Sequence, residues 1–179
     1  MFRQYSRRRV LQGGAATTIL SLFFPGWIWA QQDQSMDAPR AQGQTLSQLQ
    51  QKLALALQHE HGAIVQYTNH CGKLAAWKLE SQARTVHSIV GDEAEHAQRL
   101  VQMLYETGVE PTLAVWPPQT SNAAEQLLQQ DINAEKGAIS LYNEILNENV
   151  SPSMRRNIEW MLEQEIQHKG TFEKIKKKL

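Results

Sequence analysis

Four apolar stripes of helical period, each broken near its middle by a glutamate, constrain this chain more than any other feature. The first runs Leu46, Leu49, Leu53, Ile64, Tyr67, Cys71, Leu74 and is interrupted by Glu60. The second runs Val86, Ile89, Val90, Leu100, Met103, Leu104, interrupted by Glu93 and His96. Leu127, Leu128, Ala138, Tyr142 and Ile145 form the third around Glu135; Ile158, Met161, Leu162, Phe172 and Ile175 form the fourth around Glu165 and His168. Residues three and four apart share a helix face, so each stripe predicts a helix with one buried side. No alternating run of β-branched residues is long enough for a strand, and the fold class is therefore all-α.

The connections sort the topology. Thr45 is a candidate cap for the first helix, and a short turn around Trp77 to Glu80 leads into the second. Gly108 and Pro111 end that helix, and Pro111, Pro117 and Pro118 keep residues 108–120 from continuing it. The third helix is predicted to begin near Ser121 or Asn122, and Ser151-Pro152 offers a cap and a first-turn proline to the fourth. Two short turns make two antiparallel hairpins. Extended at roughly 3.3 Å per residue, the proline-rich link can span the bundle from end to end. The expected fold is an antiparallel four-helix bundle with one long crossover between the second and third helices.

Six polar residues thus stand where core is required: Glu60, Glu93, His96, Glu135, Glu165 and His168. Leaving four ionised carboxylates buried without partners costs several kcal/mol each. Two divalent cations supply +4 against those four negative charges, with both histidines neutral. Glu93-x-x-His96 and Glu165-x-x-His168 each place a carboxylate and an imidazole on one helix face. Glu60 and Glu135 can add a carboxylate from the other two helices. Carboxylate with imidazole suits iron, manganese or zinc. One such spacing is weak; two, in equivalent helices of two hairpins, are specific.

This donor set resembles that of ferritin-like di-iron proteins, and bacterioferritins most of all. The resemblance covers Leu46 to about Ile175 and includes Gln66-Tyr67, Trp77 and the helix ending at Gly108 to Pro111. It implies two iron ions per subunit, with Glu60 and Glu135 as terminal ligands, Glu93 and Glu165 bridging, and His96 and His168 completing the pair. It also implies that Tyr67, seven residues after Glu60, is a near-site tyrosine able to bond a ligand carboxylate or donate an electron. Where bacterioferritins carry a haem-ligating methionine after the bridging glutamate of the second helix, this chain has Ala94, so no haem is expected. The family's short fifth helix has no counterpart after His168, so a monomer or homodimer is expected rather than a storage shell. Rubrerythrins carry a second carboxylate three residues after the third-helix ligand; here Ala138 stands there.

Three functions fit these residues. The leading one is a ferroxidase, oxidising Fe(II) with O2 or peroxide. The others are a di-iron peroxidase or oxidase of rubrerythrin type, and a non-catalytic metal-binding bundle.

Residues 1–30 read as an export signal: a basic start with Arg3 and Ser6-Arg7-Arg8-Arg9-Val10-Leu11, an uncharged stretch from Gly13, and Ala30 at the cleavage point. The arginine pair resembles a twin-arginine signal, which implies the twin-arginine translocation machinery as a partner and a periplasmic or otherwise exported location. An uncleaved signal would instead anchor the chain in the membrane. Residues 31–44, Gln-rich with Pro39 and Gly43, read as a flexible tether, leaving 45–179 as the metal-binding domain. Residues 31–179 hold 14 basic against 18 acidic side chains, a formal charge of −4 that argues against a nucleic-acid partner. Cys71 is the sole cysteine, so no internal disulfide forms.

Among the remaining polar residues, Asp131 lies one turn before Glu135 and is a candidate to support it. Asp92, His59, His61, His70 and His87 read by default as surface groups.

Overall fold

The computed structural model describes residues 45–179; the expected signal and tether lie outside the described residues. Four helices account for most of the chain: α1 (Gln48–Ala76), α2 (Glu80–Glu106), α3 (Ala124–Leu146) and α4 (Pro152–Lys176). No helix among the described residues is long and apolar enough to cross a membrane. α1 packs on α2, α3 on α4, and the two hairpins join through α1 against α3 and α2 against α4. This is the all-α bundle with one long crossover that the stripes and prolines imply.

Local chemistry sets the helix ends. α1 is capped by Ser47 rather than Thr45: the Ser47 hydroxyl accepts from Gln50 N, and the Gln50 side chain accepts from Ser47 N. That reciprocal pair satisfies two otherwise orphaned amides at the start of α1. α3 starts at Ala124, later than Ser121 or Asn122, because Ser121 bonds the Gln126 side chain instead of capping a helix; Ala123 stands at the cap with no side-chain bond. α4 begins as expected, with Ser151 accepting from Met154 N and Pro152 in the first turn. The α1–α2 turn closes with Leu79 N on Leu74 O around Lys78, which sits at φ 65° where glycine is usual. Gly108, at φ 78°, fills the equivalent place after α2.

The crossover, residues 107–123, is irregular throughout and lies along α1. Trp116 N donates to Gln58 O at 2.9 Å, and a Cβ on Gly62 would stand 2.7 Å from Trp116 O. Glycine at 62 is what allows the strap this close to the helix.

The core is divided in two. Leu53, Leu57, Leu100, Leu104, Tyr142, Ile145, Ile158 and Met161 fill one end of the bundle. Leu74, Val86, Ile89, Leu128, Ile132, Phe172 and Ile175 fill the other. Each fully buried aliphatic side chain contributes roughly 1.5–3 kcal/mol. Between the two clusters lies a polar layer, and all six candidate ligands are in it.

Candidate metal centre

Each helix delivers its donors to the polar layer by the same device, a break in the apolar stripe between the two core clusters. Glu60, Glu93, His96, Glu135, Glu165 and His168 are all buried, none more than 5% exposed. Their donor atoms form two overlapping groups. Glu60, Glu93, His96 and Glu165 offer atoms within 4.8 Å of one another, and so do Glu93, Glu135, Glu165 and His168. Glu93 and Glu165 belong to both groups; Glu60 with His96, and Glu135 with His168, belong to one each.

Both imidazoles turn Nδ1 inward. His96 Nδ1 lies 2.9 Å from Glu165 Oε1 and 3.2 Å from Glu93 Oε2. His168 Nδ1 lies 3.1 Å from Glu93 Oε1 and 3.6 Å from Glu165 Oε2. Glu60 Oε2, Glu93 Oε1, both Glu165 oxygens and His168 Nδ1 are buried with no hydrogen-bond partner. Orphaned atoms of this kind are costly unless something satisfies them, and here they converge on two points. Oxygen and imidazole donors of this number fit a pair of divalent cations.

The electrostatics show how the metal-free site limits its negative charge. Burial, then the neighbouring carboxylates Glu165 and Glu93, push Glu60 and Glu135 well above the ordinary glutamate range. Burial opposes the charged form of both histidines, yet the adjacent carboxylates of Glu165 and Glu93 outweigh it, raising His96 to about 9 and His168 to about 10. Burial would also raise Glu165, but the close approach of Glu135, His168 and His96 holds it below the usual range. Protons on His96 and His168, with Glu60 and Glu135 shifted toward their protonated forms, thus offset part of the negative charge that two dications would balance.

Two tyrosines hold the outer glutamates. Tyr67 donates to Glu135 Oε1 at 2.6 Å and Tyr142 to Glu60 Oε1 at 2.5 Å. Burial, then the adjacent glutamate, raises both phenols well above their normal range, so both stay donors. Tyr67, seven residues after Glu60 on α1, bonds a carboxylate of the candidate ligand set, that of Glu135 on α3. On this geometry Tyr67 positions a ligand. Tyr142, read from the sequence as core, has the same role, and its seven-residue distance from Glu135 repeats that of Tyr67 from Glu60.

The default surface reading fails for His70 and His59, while His61 is partly exposed. His70 is fully buried: Nδ1 lies 2.7 Å from Asp131 Oδ1 and Nε2 lies 2.9 Å from Gln119 O. Gln66 donates to the same Asp131 oxygen and accepts from Gln119 N, so α1, α3 and the crossover share one network beside Tyr67 and Glu135. Asp131, the candidate support for Glu135, bonds Gln66 and His70 instead. His59 is partly covered by Trp116, and His61 Nδ1 bonds Ala114 O at 3.0 Å. His87 alone is exposed. Asp92 is half exposed, yet its Oδ2 stands 3.2 Å from His168 Nε2, which fixes that ring.

Fold and site together define a helical bundle of the carboxylate-histidine metal-binding class. A family model described as a ferritin-like domain matches residues 50–179, and the chain belongs to that family. Among solved structures, it is similar to the bacterioferritin of Rhodobacter capsulatus, described with a metal-free dinuclear site and haem iron. That likeness has 21% identity and a TM-score of 0.67, over 73% of this chain and 84% of that one. At this identity the likeness speaks for the fold. No curated protein matches the sequence.

Proposed function

We propose that this chain is an exported di-iron ferroxidase, oxidising Fe(II) with O2 or peroxide. The observation that carries the reading is the buried six-donor set whose orphaned oxygens and inward Nδ1 atoms define two adjoining positions sharing Glu93 and Glu165. Bound iron supplies one electron per ion, so a pair reduces O2 to peroxide or peroxide to two hydroxides.

The protein's own residues supply placement and insulation. Glu60 and Glu135 each serve one position, held in a fixed rotamer by Tyr142 and Tyr67. Glu93 and Glu165 reach both positions and hold them adjacent, so two electrons leave one site together. The apolar clusters on either side keep bulk water from the donors. Tyr67, buried and bonded to Glu135, is the candidate to supply an electron during oxidation. Ala94 brings no haem ligand, and the arginine pair at Arg7-Arg8 supports export by the twin-arginine route.

The test begins with metal analysis of protein purified from its own host, followed by anaerobic Fe(II) titration and a pulse of O2 or peroxide. Two ferrous ions bound per chain and a rapid oxidation phase are expected. Redox-silent metal in native protein, such as zinc, would overturn the ferroxidase reading. Repeated turnover of peroxide with an added reductant and no retained ferric iron would point to the peroxidase alternative.

A further inference from the structure

The two halves of the centre are matched in sequence and space: Glu60 with Glu135, Tyr67 with Tyr142, Glu93 with Glu165, His96 with His168. The match fails just before the two shared glutamates. The residue before Glu93 is Asp92, and the residue before Glu165 is Gln164. Asp92 Oδ2 lies 3.2 Å from His168 Nε2. His96 Nε2 is buried and has no hydrogen-bond partner among the described residues.

An aromatic ring stands beside His96 in place of an acceptor. The Trp160 indole meets the His96 imidazole at an interplanar angle of 88°, with centroids 5.5 Å apart. The Arg99 guanidinium sits 4.2 Å from the Trp160 ring centroid, tied to Glu95 at 2.6 Å and to Asn157 at 2.9 Å. His168 is thus backed by an anion, and His96 by an indole whose other neighbour is a cation.

A histidine that donates its far N–H to a carboxylate is a more basic and better oriented ligand than one that does not. Asp92 also adds negative charge near the ion it supports. Arg99 adds positive charge on the other side, partly offset by Glu95.

We propose that the two metal positions are unequal by construction: the His168 position takes its dication first, and the His96 position second, with Asp92 and Trp160 as the positioning residues that set the order. This rests on the metal-centre reading above. Because two-electron chemistry needs both ions, the weaker position then sets the ferrous concentration at which the pair forms. Loss of a supporting carboxylate costs about 10–100-fold in metal affinity. Asp92 has a side chain 45% exposed, which puts the expected difference near the lower end, about tenfold.

The test uses Co(II) as probe on metal-stripped protein, read by calorimetry and visible absorption with no turnover. His96→Ala keeps the His168 position and His168→Ala keeps the other; the first should bind its single Co(II) about tenfold more tightly. Asp92→Asn in the His96→Ala background should remove that advantage. Gln164→Asp in the His168→Ala background should tighten binding by a similar factor, because it restores the missing acceptor. Equal affinities in the two single-position variants, or no gain from Gln164→Asp, would overturn the proposal.

If either alanine variant loses its helical circular dichroism, the same substitutions are read in the otherwise intact chain. Asp92→Asn should then weaken the first of two binding steps and Gln164→Asp should strengthen the second; the opposite assignment of steps overturns the order. Two Co(II) ions that bind with equal affinity defeat this inference alone. A chain that binds no Co(II) defeats the metal-centre reading beneath it.

Discussion

Tyr67 donates its hydroxyl proton to Glu135, 68 residues away on the opposite hairpin, and not to Glu60 on its own helix. Tyr142 returns the bond to Glu60. Each outer ligand is therefore held by the hairpin to which it does not belong, and both bonds exist only when the hairpins are docked in register. Replacing either tyrosine by phenylalanine leaves a buried carboxyl oxygen unpaired, at a cost of about 1–3 kcal/mol. Urea denaturation in chelator should show losses of similar size for Tyr67→Phe and Tyr142→Phe. A large loss in one and none in the other would contradict the reciprocal arrangement.

Glu93 serves both metal positions, so its removal should cost more than one ligand. In Glu93→Ala, anaerobic Fe(II) binding should fall below two per chain and the rapid oxidation phase should slow by at least about tenfold. Glu163→Ala, an exposed change two residues from Glu165, is the control and should behave as the unaltered protein. Matching fast phases in the two variants would remove Glu93 from the site.

The shifted groups give the metal-free protein a definite pH response. His96 and His168 are raised to about 9 and about 10, so the stability they contribute is complete below the unfolded histidine pKa and lost as pH rises through those values. Glu60 and Glu135, also raised, act in the same direction: their burial favours the protonated form and opposes folding as they ionise. Chelator-treated protein should therefore lose several degrees of Tm between pH 7 and pH 10. Metal-loaded protein should change much less, and loading at pH 7 should release the protons held by His96 and His168. Calorimetry in buffers of different ionisation enthalpy measures that release; no dependence on buffer would refute it.

The close seat of the crossover makes Gly62 sensitive. Gly62→Ala drives a methyl group into the Trp116 backbone, which cannot rotate away as a side-chain end would. Overpacking of this kind costs about 1–3 kcal/mol. Thermal unfolding should show the loss, and faster amide exchange at Trp116 should show the strap lifting from α1. Gly72→Ala, whose Cβ meets nothing within 4 Å, should be neutral or slightly stabilising.

Export is tested at the arginine pair. Arg7→Lys with Arg8→Lys should leave the protein in the cytoplasm with its first 30 residues attached, visible as a heavier band in the soluble fraction. Normal export of the double variant would remove the twin-arginine assignment.

The helices and their order were legible because helical period and proline placement are local properties of the chain. The six polar residues were legible for a related reason: a glutamate inside an apolar stripe is conspicuous without knowledge of its partner. What escaped depends on partners remote in sequence. His70 reads as a surface group until Asp131, 61 residues away, and the crossover carbonyl of Gln119 close around it. Tyr142 reads as core because its body is core; only the repeated seven-residue offset from a glutamate marked its hydroxyl. Asp92 looked solvated, and half of it is; the other half meets a histidine from α4. The helix starts moved because a hydroxyl caps only where its companion bonds allow, as Ser47 does with Gln50.

Each metal position draws three donors from one hairpin and a single glutamate from the other, Glu165 for the first and Glu93 for the second. A dication in either place is therefore a rivet between half-molecules and not an ornament of one of them. The chain joins those halves only through the crossover, whose cutting need not abolish the centre. Two fragments severed within residues 107–123 should find each other more readily with metal than without it, since an ion that binds only the joined pair draws the halves together by mass action. The same coupling makes the mobility of one hairpin against the other a function of metal supply.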